Sequence, residues 1–158
     1  MIQVAVCGPA DCTARDERHA YRVGELLAEA GAATLCGGGT GVMAAVAAGA
    51  RARDGLVVGI RPDRGRSSEV SVTVATNLGQ ARNAVLVESA DAVIAVGGSW
   101  GTLSEVAHAM RRGGVPVVSV GGWRVLDEAG APVPGIRYVE TPEEAVAVAL
   151  APSGSSLS

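Results

Sequence analysis

Lysine and phenylalanine are both missing from the 158 residues, and each absence narrows the chemistry before any motif is read. All thirteen basic side chains are arginine. Without lysine there is no Schiff base, so an enzyme anchoring pyridoxal phosphate through lysine is excluded, and a Walker-type phosphate loop lacks its essential cation. With no phenylalanine and only 3% aromatics, the core must be built from small and β-branched side chains. Cysteine is scarce and odd in number (Cys7, Cys12, Cys36), which excludes a disulfide framework and fits a reducing compartment. No apolar stretch reaches the roughly 18–20 residues of a membrane span. The opening Met1–Val4 carries no basic segment, so a cytoplasmic protein without a membrane partner is expected. A net charge of −3 argues against a nucleic-acid partner, which would require a basic surface to displace counterions. What is present is a 48% hydrophobic chain with 18% charged residues, ample for a buried core and too apolar for disorder.

Short β-branched runs alternate with helical patterns, without repeats or linkers, and the length fits one domain over 1–151 with a polar, disordered tail over 152–158. Strands are predicted at 2–7, 33–36, 56–60, 70–75, 91–96, 116–120 and 137–139. Helices are predicted between them: one with Thr13 and Asp16 in capping-box spacing and closed by Gly31, one over 42–53, one capped by Asn77 and Gln80 and running to Ala90, and one over 103–112. The last has Thr141 as cap, Pro142 in first place and Glu144 completing the box. Residues 61–69 should form an exposed arginine-rich loop, and 121–135 an irregular excursion carrying Trp123. Continuous apolar strands alternating with helices mean a parallel sheet covered on both faces: a Rossmann-like, doubly wound, mostly parallel α/β fold. Such sheets bind ligands at the carboxyl ends of their strands.

Two glycine-rich segments fall at such ends: Gly37-Gly38-Gly39-Thr40-Gly41 after the second strand and Gly97-Gly98-Ser99-Trp100-Gly101-Thr102 after the fifth. Glycine there allows positive φ and lets backbone N–H groups come close to an anion, toward which the next helix points its positive end. The hydroxyls of Ser99 and Thr102 add donors, making the second segment the stronger phosphate cradle, and together the loops could grip one phosphate and one sugar or base.

Sharper motifs fail. Gly39-x-Gly41-x-x-Ala44 matches the dinucleotide fingerprint but follows the second strand, and Ile60-Arg61 stand where an acidic residue should end the next one. Gly97-x-Ser99-x-Gly101 matches a nucleophile elbow, yet the sole later histidine, His108, lies within the very next helix, so Ser99 is better read as an anion donor. Glu105 and His108 have the spacing of a carboxylate-bridged metal motif whose required second copy is missing, so no metal is expected. His19 lies on a charged helix face and reads as solvated. Cys7 and Cys12 read as packing residues, and Arg51, Arg53, Arg61, Arg64 and Arg66 as a solvated surface.

From Arg82 to Glu105 the chain resembles the Lonely Guy (LOG) family, part of a wider Rossmann-like group that includes the molybdenum-cofactor carrier proteins. The family pattern is an arginine, an aspartate nine residues on that opens a strand, then Pro-Gly-Gly-x-Gly-Thr-x-x-Glu. Arg82 and Asp91 keep that spacing, and Gly98, Gly101, Thr102 and Glu105 match in register. The upstream Gly37–Met43 resembles the family's other glycine loop. Gly97 replaces the family's proline, Ser99 its second glycine, and Ala81 and Asn83 the residues usually flanking the arginine. The resemblance is greatest to a compact bacterial branch. It implies hydrolysis of the N-glycosidic bond of a nucleoside 5′-monophosphate, of AMP or cytokinin ribotide type, giving free base and ribose 5-phosphate. Arg82 and Glu105 would be catalytic. Gly37, Gly38, Gly39, Thr40, Gly41, Asn83, Gly97, Gly98, Ser99, Gly101 and Thr102 would hold the nucleotide. No cofactor or metal would be needed, and the protein would be a homodimer. That chemistry fits the residue types, since a carboxylate beneath the sugar stabilises an oxocarbenium-like transition state. The alternative is a non-catalytic binder or carrier of a phosphorylated, nucleotide-like ligand such as the molybdenum cofactor; Ser99, narrowing the cradle, favours it.

Overall fold

Every strand of the sheet runs parallel to its neighbours, so all seven carboxyl ends lie along one edge. The computed structural model describes residues 1–152, and the tail expected from 152 on lies, beyond its first residue, outside them. The strands are β1 (Gln3–Cys7), β2 (Ala33–Cys36), β3 (Val57–Arg61), β4 (Val72–Ala75), β5 (Ala92–Val96), β6 (Val117–Val120) and β7 (Ile136–Val139), in the order β4-β3-β2-β1-β5-β6-β7. The helices are α1 (Ala14–Glu29), α2 (Val42–Arg51), α3 (Arg82–Glu88), α4 (Trp100–Arg112) and α5 (Pro142–Ala149). This is the expected doubly wound Rossmann-like fold.

Alternation along the strands divides the core between the two faces. Val4, Val6, Cys36, Ile94 and Val96 pack with Val23 and Leu27 of α1, Val46 of α2 and Val146 of α5. Ala5, Cys7, Leu35, Val93 and Ala95 pack on the other face with Leu86 and Val87 of α3 and Val106 and Ala109 of α4. The chain leaves β1 toward β2 and leaves β5 toward β6, so the winding reverses between β1 and β5. The crevice at that reversal is where a doubly wound sheet takes a ligand.

Caps read from the sequence are present where polar side chains meet the first turn. Thr13 Oγ1 accepts from Asp16 N at 3.0 Å while Asp16 reaches back to Thr13 N, closing the box on α1. On α5, Thr141 Oγ1 accepts from Glu144 N at 3.2 Å, but the Glu144 carboxylate takes the Thr141 hydroxyl, so this box is not reciprocal. Three expectations need correction. β4 begins at Val72, two residues later than predicted. The helix predicted from Asn77 begins only at Arg82, behind a 3₁₀ turn at Gly79–Ala81. Asn77 and Gly79 take positive φ (53° and 60°), and no side chain caps either segment. Arg82 therefore opens its helix and does not lie a turn within it. His19 is not simply solvated: its Nδ1 is buried without a partner, and burial lowers its pKa.

Candidate functional site

The β1–β5 crevice collects three connections. From β1 comes 8–13, from β2 the loop Gly37–Gly41, and from β5 the turn Gly97–Ser99. Val42 N donates to Pro9 O at 3.1 Å, tying the start of α2 to the β1 connection. Gly41 adopts φ 65°, and a Cβ there would run into the backbone carbonyls of Pro9 and Ala10, so glycine is required at this seam.

The two glycine loops differ in what already occupies them. No side chain caps α2 at Gly41. α4, by contrast, is capped by Ser99, whose Oγ accepts from Thr102 N at 3.1 Å and shares a hydrogen bond with the buried Thr102 hydroxyl at 2.9 Å. Gly97 takes φ 72° beneath Asp16, whose carboxylate lies 2.7 Å from where a Cβ would stand; a negative group thus overlies the turn. Gly98 is covered by Trp123, with Cδ1 2.6 Å from its Cβ position. Gly101 faces open space, with only Ser99 Oγ within 4 Å at 3.9 Å, and its backbone is unstrained. In the upstream loop Gly37 and Gly38 are buried and Thr40 is exposed. The start of α2 thus meets backbone carbonyls of the β1 connection, whereas the Gly97–Ser99 turn is capped by Ser99 and covered by Asp16 and Trp123.

Arg82 departs from expectation. Its Nη1 donates to Gly37 O at 2.6 Å and to Ile60 O at 2.7 Å, and its Nε donates to Asn83 Oδ1 at 2.9 Å. The guanidinium thus bridges the carboxyl ends of β2 and β3, and Asn83 orients it. Arg61, which the sequence reads as solvated, works the same way: Nη1 donates to Gly38 O at 2.7 Å while Nε and Nη2 grip Asp63. The Arg61 hydrogen bonds hold the Asp63 carboxyl down at about 2. Two guanidiniums thus fasten the Gly37–Gly41 loop from below.

Glu105, one turn into α4, is partly buried and turned toward Cys7 at the end of β1. Burial raises its pKa, against the opposing pull of the Cys7 thiol, which donates to the carboxylate, and of the Arg82 charge. Burial likewise drives the Cys7 thiol well above its ordinary range, and the neighbouring carboxylate pushes it the same way. The structure thus brings Arg82, Asn83, Glu105 and both glycine loops to one crevice. His108 is hydrogen-bonded to Glu88 at 2.9 Å and lines a surface cavity with Asn83 and Gly101. Cys7, Arg61, Asp16 and Trp123 join the site without having been singled out for it. Only Cys7 carried a signal, as the last residue of a strand flanking the winding reversal.

Known proteins share this architecture. The chain is 43% identical over 148 residues to an uncharacterized protein of Archaeoglobus fulgidus, covering 92% of this chain and 93% of that one. It superposes with a TM-score of 0.82 on the molybdenum cofactor binding protein of the phototrophic bacterium Rippkaea orientalis, at 34% identity and covering 92% and 93% of the two chains. The molybdenum cofactor carrier protein of Chlamydomonas reinhardtii gives 0.79 at 28% identity, covering 92% and 94%. The Lonely Guy resemblance thus holds at the level of the LOG-like Rossmann superfamily, within which residues 1–146 match one family model. The chain belongs to the SLOG cluster4 family.

Proposed function

We propose that this protein binds and carries a phosphorylated, nucleotide-like ligand, such as the molybdenum cofactor named for its structural relatives, in the β1–β5 crevice, without cleaving it. The observation that carries the reading is the engagement of both expected catalytic side chains in the frame of the site. Arg82 commits Nη1 to the carbonyls of Gly37 and Ile60 and Nε to Asn83, and Glu105 faces the Cys7 thiol. A hydrolase needs a carboxylate aimed where positive charge develops; a binder needs a rigid, electropositive rim. The Gly37–Gly41 loop, fastened by the Arg82 and Arg61 guanidiniums, and the open face at Gly101 support that rim.

The second reading, N-glycosidic hydrolysis of a nucleoside 5′-monophosphate, draws on one observation: Glu105 and Arg82 interact electrostatically beside the Cys7 thiol. One panel separates the two. Nucleoside monophosphates and molybdenum cofactor are titrated calorimetrically against the protein, and each mixture is then assayed for free base. Saturable binding with the ligand recovered intact supports the carrier. Base release that disappears in Glu105→Ala establishes the hydrolase and overturns the carrier.

A further inference from the structure

Only two tryptophans occur in the chain, and both lie beside the Gly97–Gly101 turn exposed to solvent: Trp100 at 77% and Trp123 at 44%. They come from different connections, Trp100 as the first residue of α4 and Trp123 from the excursion after β6. Their rings meet edge to face, with centroids 4.9 Å apart and planes at 81°. That arrangement fixes both orientations through the ring quadrupoles. Trp123 is held further by the close approach of its ring and backbone N to Gly98, and Trp100 by its place between the Ser99 cap and Gly101. An indole left in water forgoes the burial that normally stabilises it, and an exposed apolar patch of this kind marks a surface built for contact. Here the patch sits directly on a glycine loop of the proposed ligand site.

From this geometry we infer that Trp100, braced by Trp123, is a stacking platform for the flat heterocyclic ring of the bound ligand. The inference rests on the binding reading above and adds the ligand class: a phosphate joined to a planar, π-rich ring. Stacking on an indole accepts any such ring because every one presents a π-face. The platform therefore contributes affinity for flat heterocycles as a class, while the loops hold the phosphate end.

The test uses the whole protein with two probes, AMP, which carries ring and phosphate, and ribose 5-phosphate, which lacks the ring. Binding is followed by calorimetry and by quenching of tryptophan emission. AMP should bind more tightly than ribose 5-phosphate and quench the emission. Trp100→Ala should weaken AMP about 10-fold and leave ribose 5-phosphate unchanged, and Trp100→Phe should recover most of the loss. Because the Trp100 side chain is mostly in water, the alanine variant should fold, which its circular dichroism checks. Equal affinity for the two probes in the wild type, or unchanged AMP affinity in Trp100→Ala, overturns the platform and leaves the binding reading standing. Failure of AMP to bind overturns the platform, and the binding reading is then decided separately by the molybdenum cofactor titration described above.

Discussion

Replacing Arg82 with alanine separates a framework role from a ligand-gripping one. Two carbonyls, Gly37 O and Ile60 O, would lose charged donors now at 2.6 and 2.7 Å, and Asn83 Oδ1 would lose a third bond at 2.9 Å. A hydrogen bond from a charged group contributes about 1.5–3 kcal/mol, and water entering the gap would recover part of it, leaving a net loss of about 3 kcal/mol. For a chain of this length each kcal/mol corresponds to about 2–4 °C, so Tm should fall by about 6–12 °C in differential scanning calorimetry. Arg82→Lys would keep a charged donor for the carbonyls but lose the planar group and its Nε–H bond to Asn83, and should recover only part of the loss. An Arg82→Ala variant melting within about 2 °C of the wild type, yet losing ligand affinity, would refute the reasoning: the guanidinium would then belong to the ligand and not to the loop.

Other substitutions probe the rest of the crevice. Ser99→Ala removes the cap on α4 and should cost about 1 kcal/mol, read as a fall of about 2–4 °C in Tm. Gly98→Ala drives a methyl against the Trp123 ring and backbone, so the Trp100–Trp123 contact should open, seen as altered near-ultraviolet circular dichroism with the far-ultraviolet signal retained. Glu105 has a raised pKa in the fold, so its ionised form carries a cost that is present above the folded pKa and vanishes below the unfolded one. Glu105→Gln should therefore raise Tm at pH 7 by less than Arg82→Ala lowers it, and the gain should shrink as the pH falls through that range; a gain independent of pH would count against this account.

What the chain declares locally is what sequence reading recovers. The reciprocal Thr13–Asp16 box, the buried runs ending at Cys7, Cys36 and Val96, and the glycine loops that follow β2 and β5 depend on neighbours within a few residues. Arg82 illustrates the opposite case. Its partners at Gly37 and Ile60 lie 45 and 22 residues back and are backbone carbonyls, which leave no side-chain signature. Glu105 is legible as a motif residue, but its contact with Cys7 is not, because α4 meets β1 only after five strands have been laid down. The cover over the Gly97–Ser99 turn is likewise not legible locally, because Asp16 and Trp123 arrive from α1 and from the excursion after β6. The delayed start of α3 reflects two positive-φ residues, Asn77 and Gly79, whose conformations are set by contacts with Asp63 and Pro62.

The excursion between β6 and β7 has a further consequence for protein engineering. Its outer part is clasped by a single antiparallel bridge between Leu126 and Pro132, and its tip is tied mainly to itself, with Asp127 Oδ1 accepting from Ala129 N and Ala131 N at 2.9 and 3.0 Å. The tip residues are exposed, small or polar, the setting in which inserted sequence is best tolerated. A peptide tag or small reporter domain spliced after Ala129 would sit a few residues from Trp123 without entering either face of the core. Lengthening the same segment changes the neighbourhood of Trp123 while leaving every strand of the sheet in register.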